Sequence, residues 1–233
     1  MVDVTTDRAG LVDLSFMASL ECDLNCAHCM YNSSSRTKQR LDYEKVKAWC
    51  AGIDWSQVHA CGFYGGEPSI LLDWYARFVE LVPDGVPKFV ITGGAWSKDA
   101  TRTAEFVAFT QRYAMRVTVS GTRWHTPFQN RLVLESLASA YGFVLKGGEE
   151  GRLISMGRAK LWLGNTCTYA CLRWNKPWRL ALHPENGIIF QSCDGEYPKL
   201  QALDEPFSAV LPNIRALLGN RMNNYRSAGQ ELP

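Results

Sequence analysis

The chain has 233 residues, 46% hydrophobic and 12% aromatic, enough for one packed domain of medium size, or one domain with a small appendage. Its formal charge of +2 argues against a dominant electrostatic partner such as duplex nucleic acid or an anionic membrane. No run approaches the roughly 18 apolar residues of a membrane span, and the polar start MVDVTTDRAG carries no signal peptide, so the expectation is a cytoplasmic protein with reduced cysteines.

Residues 11–20 (LVDLSFMASL) read as a first strand that runs straight into a loop holding Cys22, Cys26 and Cys29. Helical spacing follows over 42–52, with Asp42 as its cap. A second strand over 57–64 (QVHACGFY) ends at Gly65-Gly66-Glu67-Pro68, and a second helix over 69–82 has Ser69 as candidate cap. Strand and helix then alternate: 88–93 and 98–112, then 115–120 and 127–141, then a short strand at 143–146 and a candidate sixth near 152–163. This alternation predicts an α/β fold with parallel strands and right-handed crossovers, in which ligands gather at the strand carboxyl ends.

The texture changes after residue 163. Cys167 and Cys171 are followed by a predicted hairpin over 178–193, turning at Pro184-Glu185-Asn186-Gly187, which brings Cys193 back towards Cys171. A helix near 206–218 closes the pattern. The expected organisation is a main unit over 1–163 and a cysteine-containing appendage over 164–233.

The C-x3-C-x2-C spacing of Cys22, Cys26 and Cys29 suits three irons of a four-iron cluster, leaving one iron open to bind and reduce a ligand. Structural zinc is the rival reading. It wants four N/S ligands, and the nearest further candidates are His28, Cys50 and Cys61. For Cys167, Cys171 and Cys193, an auxiliary iron–sulfur cluster, a zinc knuckle and plain buried thiols all stay open. Cys50 and Cys61 read as core thiols.

Glu67 lies at a strand end beside glycines that permit close backbone approach, which suits an ammonium partner. Thr92 and Ser120 end the third and fourth strands, and a hydroxyl satisfied by local backbone is the alternative to ligand contact at each. His125 follows the fourth strand and is a candidate for proton transfer or substrate contact. His28 reads as a shield for the cysteine loop, His59 as a packed strand residue and His183 as a remote candidate for a fourth auxiliary ligand. Arg36, Lys38 and Arg40 form a basic run beside the cysteine loop, a solvated face with attraction for an acidic substrate.

Taken together, C-x3-C-x2-C after the first strand and Gly-Gly-Glu-Pro after the second resemble the radical S-adenosylmethionine (SAM) enzymes. That resemblance implies a partial (β/α)6 barrel with a [4Fe-4S] cluster on Cys22, Cys26 and Cys29. SAM would be chelated at the open iron, with Gly65, Gly66, Glu67 and Pro68 at its methionyl amino group. Thr92 and Ser120 would touch the ribose or carboxylate, and Arg158, in Gly157-Arg158-Ala159, would approach SAM or brace the sheet. His28 departs from the aromatic residue usual before the third cysteine. The stretch Cys171…Gly187…Cys193 resembles the twitch or SPASM auxiliary-cluster regions, with five residues rather than four between Gly187 and Cys193 and no later cysteine.

The implied chemistry is reductive cleavage of SAM to methionine and a 5′-deoxyadenosyl radical, driven by an external donor of flavodoxin or ferredoxin type. The radical takes hydrogen from a substrate carbon, foremost in a peptide or amino-acid-like substrate, giving a crosslink, epimerisation or dehydrogenation. The chain starts about ten residues before the first strand, so peptide recognition is expected to need a separate leader-binding protein. Modification of a nucleobase or nucleotide-linked group, a glycyl-radical activase, and a non-enzymatic zinc-binding interaction module are the alternatives.

Overall fold

The computed structural model describes residues 11–147, 178–191 and 198–217. The candidate sixth strand at 152–163, Arg158, Cys167, Cys171 and Cys193 lie outside the described residues.

Among the described residues eight strands form one sheet: β1 Val12–Phe16, β2 Val58–Phe63, β3 Lys88–Thr92, β4 Arg116–Gly121, β5 Val144–Gly147, β6 Trp178–His183, β7 Gly187–Phe190 and β8 Lys199–Gln201. Their order is β5-β4-β3-β2-β1-β6-β7-β8. The first six pair in parallel, and β7 and β8 add antiparallel. Among the described residues the helices are α1 Tyr43–Cys50, α2 Leu72–Val79, α3 Ala100–Arg112 and α4 Arg131–Tyr141, with further helix over 210–217.

Alternation along β1 explains the layering. Val12, Leu14 and Phe16 are fully buried and belong to one large apolar core with Val46 and Trp49 of α1, Phe78 of α2 and Phe106 of α3. Phe16 stacks on Phe63 with ring centroids 5.2 Å apart, and Trp96 stacks on Phe106 at 4.5 Å. Asp13, Ser15 and Met17 take the opposite face, as strand periodicity requires. Asp42, Asp99 and Asn130 cap α1, α3 and α4 by accepting from the N–H of Lys45, Arg102 and Val133. Each such cap contributes about 1 kcal/mol.

Four expectations change. Ser69 does not cap the second helix. Glu67 caps a short 3-10 turn, Pro68–Ile70, and α2 starts only at Leu72. The fourth helix likewise begins with a 3-10 turn, Thr126–Phe128, ahead of α4. His59 is not simply packed: its Nδ1 lies 2.8 Å from Asp13 Oδ1, and its side chain is 31% exposed. The predicted hairpin exists, but its first strand β6 lies directly against β1 in register, Leu14 opposite Leu180 and Phe16 opposite Leu182. It therefore extends the main sheet, and the three-residue strand β8 extends it further.

Because β1 to β4 are parallel neighbours, the loops that follow them emerge along one rim. Those loops carry the cysteines, the Gly-Gly-Glu-Pro run, Thr92 and His125.

Candidate active site

The cysteine loop is held on two sides by backbone pairing. On one side Gly66 N–H donates to Ser19 O at 2.8 Å and Glu67 N–H to Glu21 O at 2.9 Å, continuing the β1–β2 pairing past the strand ends. A Cβ on Gly66 would stand 1.8 Å from Glu21 O, so only glycine allows this approach. Gly65 has φ +131°, also glycine territory. The Ser33 hydroxyl, returning from the loop, donates to Gly65 O at 3.0 Å.

On the other side runs the arm 34–40. Cys22 N–H donates to Ser34 O at 3.1 Å, and Leu20 N–H to Gln39 O at 3.0 Å. Glu21 pairs with Lys38 and, at 3.4 Å, with Arg40. The hydrogen bond from Lys38 is the main reason its carboxyl sits below the usual range. Arg102 of α3 ties the loop down from the flank: its Nη2 is 2.9 Å from Asp23 Oδ2 and 3.2 Å from Ser69 Oγ.

Glu67 is 2% exposed and its carboxylate is engaged within the protein. Oε1 accepts from Thr92 Oγ1 at 2.7 Å and Ser69 N–H at 3.1 Å, and Oε2 accepts from Gly93 N–H at 2.7 Å. A carboxylate offers about four acceptor positions, so three of them are taken. Burial pushes this carboxyl up, and the Thr92 and Gly93 hydrogen bonds oppose the shift. The Thr92 hydroxyl also accepts from Gly94 N–H at 3.0 Å and Trp96 Nε1 at 2.9 Å. Its one donor and two acceptor positions are then all used, so it serves a brace between the β2 and β3 loops rather than a ligand.

The loop after β4 packs across the cysteines. Trp124 O receives the Cys26 thiol at 4.0 Å. The His28 ring stacks on Trp124 at 4.4 Å and meets His125 edge-on at 4.9 Å, in keeping with a shielding role. His125 Nδ1 lies 2.8 Å from Thr122 Oγ1. Burial first, and then the neighbouring His28, pulls its imidazole down to about 4. His125 is therefore uncharged at neutral pH and better suited to packing and hydrogen bonding than to holding a proton.

Two residues central to this arrangement escaped the sequence reading. A Cβ on Gly93 would meet Leu24 Cδ1 at 2.5 Å, Glu67 Oε2 at 3.3 Å and His125 Cδ2 at 3.4 Å. Gly93, in the loop after β3, is thus where the other three loops converge. Gln129 is buried, and its Nε2 donates to Gly93 O at 2.8 Å and Ser120 O at 2.6 Å. Ser120 is placed at the rim through its backbone by this bond. The sequence signals were the Gly93-Gly94 pair after a strand and a glutamine just ahead of a helix cap.

Cys22, Cys26 and Cys29 are half-buried and form no disulfide, and burial with the nearby Glu67 charge pushes the Cys22 thiol up. Among the described residues no group of three or more His, Cys, Asp or Glu side chains is gathered at metal-holding geometry. The donor set nevertheless fits an iron–sulfur cluster: three soft thiols within eight residues, on an irregular loop braced from both sides.

On the hairpin side, Gln191 joins the site to β7. Tyr64 donates its hydroxyl to Gln191 Oε1 at 2.8 Å, and Gln191 Nε2 donates to Tyr31 OH at 2.9 Å. His183 accepts from Glu185 N–H through Nδ1 at 3.2 Å, so that nitrogen belongs to the hairpin turn. Cys50 and Cys61 are buried in the core, as expected.

No known family profile matches the chain, and no curated protein matches it. Similarity to solved structures is found. One is the native anSMEcpe with bound AdoMet and Cp18Cys peptide, at 19% identity and TM-score 0.39, covering 58% of this chain and 41% of that one. Another is SuiB of Streptococcus suis bound to precursor peptide SuiA, at 12% identity and TM-score 0.44, covering 87% of this chain and 65% of that one. The chain thus spans between two fifths and two thirds of the length of these structures.

Proposed function

We propose that the chain is a radical SAM enzyme. The observation that carries the reading is the joining of two motif loops on adjacent strand ends: the Cys22–Cys29 loop and Gly-Gly-Glu-Pro, held together at Gly66 and Glu21. Cys22, Cys26 and Cys29 would hold a [4Fe-4S] cluster, and the backbone around Gly65, Gly66 and Pro68 would receive the SAM amino group. Such a cluster, when bound, supplies the electron that cleaves SAM to a carbon radical able to take hydrogen from the substrate. The chain's own residues bind, orient and exclude water. Glu67 and Thr92 fix the loop after β2 against the loop after β3, Arg102 holds Asp23 beside Cys22, and His28 with Trp124 covers Cys26.

The substrate we favour is a peptide or amino-acid-like molecule, delivered with the help of a separate leader-binding protein, in the cytoplasm. Support comes from Cys167, Cys171 and Cys193, read as an auxiliary iron–sulfur region beyond residue 163. The printed descriptions of the two similar structures, each with a bound peptide, point the same way without deciding it.

The test is iron, sulfide and reductive SAM cleavage after anaerobic reconstitution. About eight irons per chain, falling to about four in a Cys167/Cys171/Cys193→Ala variant, supports both clusters. Cys26→Ala should abolish SAM cleavage. Zinc in place of iron overturns the reading.

A further inference from the structure

We propose that Gln191, on the β6–β7 hairpin, is a positioning residue. It sets the exit of the cysteine loop against the Gly-Gly-Glu-Pro loop and so fixes where SAM meets the cluster. The inference rests on the radical SAM reading and gives the hairpin a part in that same site.

The cysteine loop is held differently at its two ends. Its entry, Ser19 to Cys22, is paired through backbone on both sides. Its exit, past Cys29, is tied to the Gly-Gly-Glu-Pro loop by side chains. One tie is the Ser33 hydroxyl on Gly65 O. The other runs through Tyr31, two residues beyond Cys29, and Tyr64, the residue just before Gly65. Their rings stack with centroids 6.2 Å apart.

Gln191 joins these two rings from 160 positions beyond Tyr31 and 127 beyond Tyr64. Its Oε1 accepts from the Tyr64 hydroxyl at 2.8 Å, and its Nε2 donates to the Tyr31 hydroxyl at 2.9 Å. An amide carries one acceptor end and one donor end, so a single side chain serves both phenols. Tyr31 is also hydrogen-bonded to Tyr64, as is Ser15 of β1. Tyr31, Tyr64 and Gln191 therefore close a ring of three, whose members polarise one another and act as a unit. The floor under the two tyrosines is Met17, Leu20, Ala181 and Ile189, all buried.

The anchor of this clamp is firm. Gln191 follows β7 directly, and its N–H donates to Arg179 O of β6 at 2.9 Å. β6 is paired in register with β1, the strand that leads into the cysteines. The hairpin thus starts from the same strand as the cysteine loop and returns to grip the loop's far end. Loss of Gln191 leaves the three thiols and the backbone pairs of the loop entry in place. What it loosens is the exit of the loop relative to Gly65 and Gly66. Side chains that orient a metal site without touching the metal typically matter by about 10–100-fold.

SAM is the probe, titrated by calorimetry into the iron-loaded chain. Gln191→Leu should keep the wild-type iron content and bind SAM about tenfold more weakly. The change that SAM causes in the paramagnetic resonance spectrum of the dithionite-reduced cluster should shrink with it. Tyr31→Phe, which breaks the same ring from the other side, should act in the same direction. Gln191→Glu keeps an acceptor for each phenol and should lie nearer to wild type. Lys199→Gln, exposed on β8, should change nothing. In the metal-free chain, the urea midpoint shifts of Gln191→Leu and Tyr31→Phe should be less than additive in the double variant, since both break one bond. Unchanged SAM affinity in iron-loaded Gln191→Leu overturns the inference and leaves the function standing. Iron lost in step with SAM affinity also overturns it, because Gln191 would then only hold the cysteine loop folded. A wild type that takes up no iron removes both.

Discussion

The two faces of the sheet are built by different rules. The face towards α1–α4 is one continuous apolar core, from Val12 and Phe16 to Phe106 and Leu134. Among the described residues the opposite face holds a small cluster, Met17, Leu20, Ala181 and Ile189, joined by Tyr31 and Tyr64 and their hydrogen bonds to Gln191. Burial of area secures the first face and tolerates local adjustment. The second face, with its rim of loops, depends on individual hydrogen bonds and on close approaches only glycine permits. Stability should therefore reside mainly in one face and cofactor positioning in the other.

The largest effect is expected on the helix side. Phe63→Ala removes a fully buried ring stacked on Phe16 and should cost about 4 kcal/mol by urea unfolding, with iron uptake per folded molecule unchanged. If iron uptake falls with it, the two faces are not separable. Gly66→Ala should be smaller in stability, about 2 kcal/mol, because the loops can part to relieve the contact with Glu21 O. Its iron uptake should fall sharply, the reverse of the Phe63 pattern.

Thr92→Val keeps the shape but leaves Gly94 N–H and Trp96 Nε1 without their acceptor and removes one of the three donors to Glu67, a cost of about 2 kcal/mol. The smallest effect is a pH dependence. Burial raises the Glu67 carboxyl above its ordinary value of 4.5, so its protonated form favours the folded state. That contribution is complete below about pH 4.5 and is lost as pH rises through the raised folded value. In urea titrations across pH, wild type should lose this increment on going from acid to neutral, while Glu67→Gln stays level. A wild type that gains stability relative to Glu67→Gln towards neutral pH would contradict the buried, raised carboxyl.

Much of the helix-side face was legible in the sequence, because it is periodic. Val12, Leu14 and Phe16 alternate, and Asp42 announces α1. The two motif loops were legible because their chemistry is compressed into short spacings. The braces between them were not. Arg102 reaches Asp23 across 79 positions and Gln129 reaches Gly93 across 36. Nothing local in either residue marks its partner. Thr92 combines both cases: Gly94 and Trp96 are local partners, while Glu67 lies 25 positions away. The hairpin was visible as alternation and a turn, but alternation does not say which edge a strand will join, and β6 joins β1.

That last pairing bears on how the chain is made. β1 emerges early, yet it lies in the middle of the sheet, between β2 and β6. Its β2 edge can close once residue 63 is available, but its other edge waits for residues 178–183. At about 5–20 residues per second of synthesis, that is on the order of ten to thirty seconds. Throughout that interval a row of backbone donors and acceptors stands open beside Leu14 and Phe16, a template for a neighbouring nascent chain. Yield in the cell should then respond more to translation speed and chaperone supply than to the final stability of the sheet.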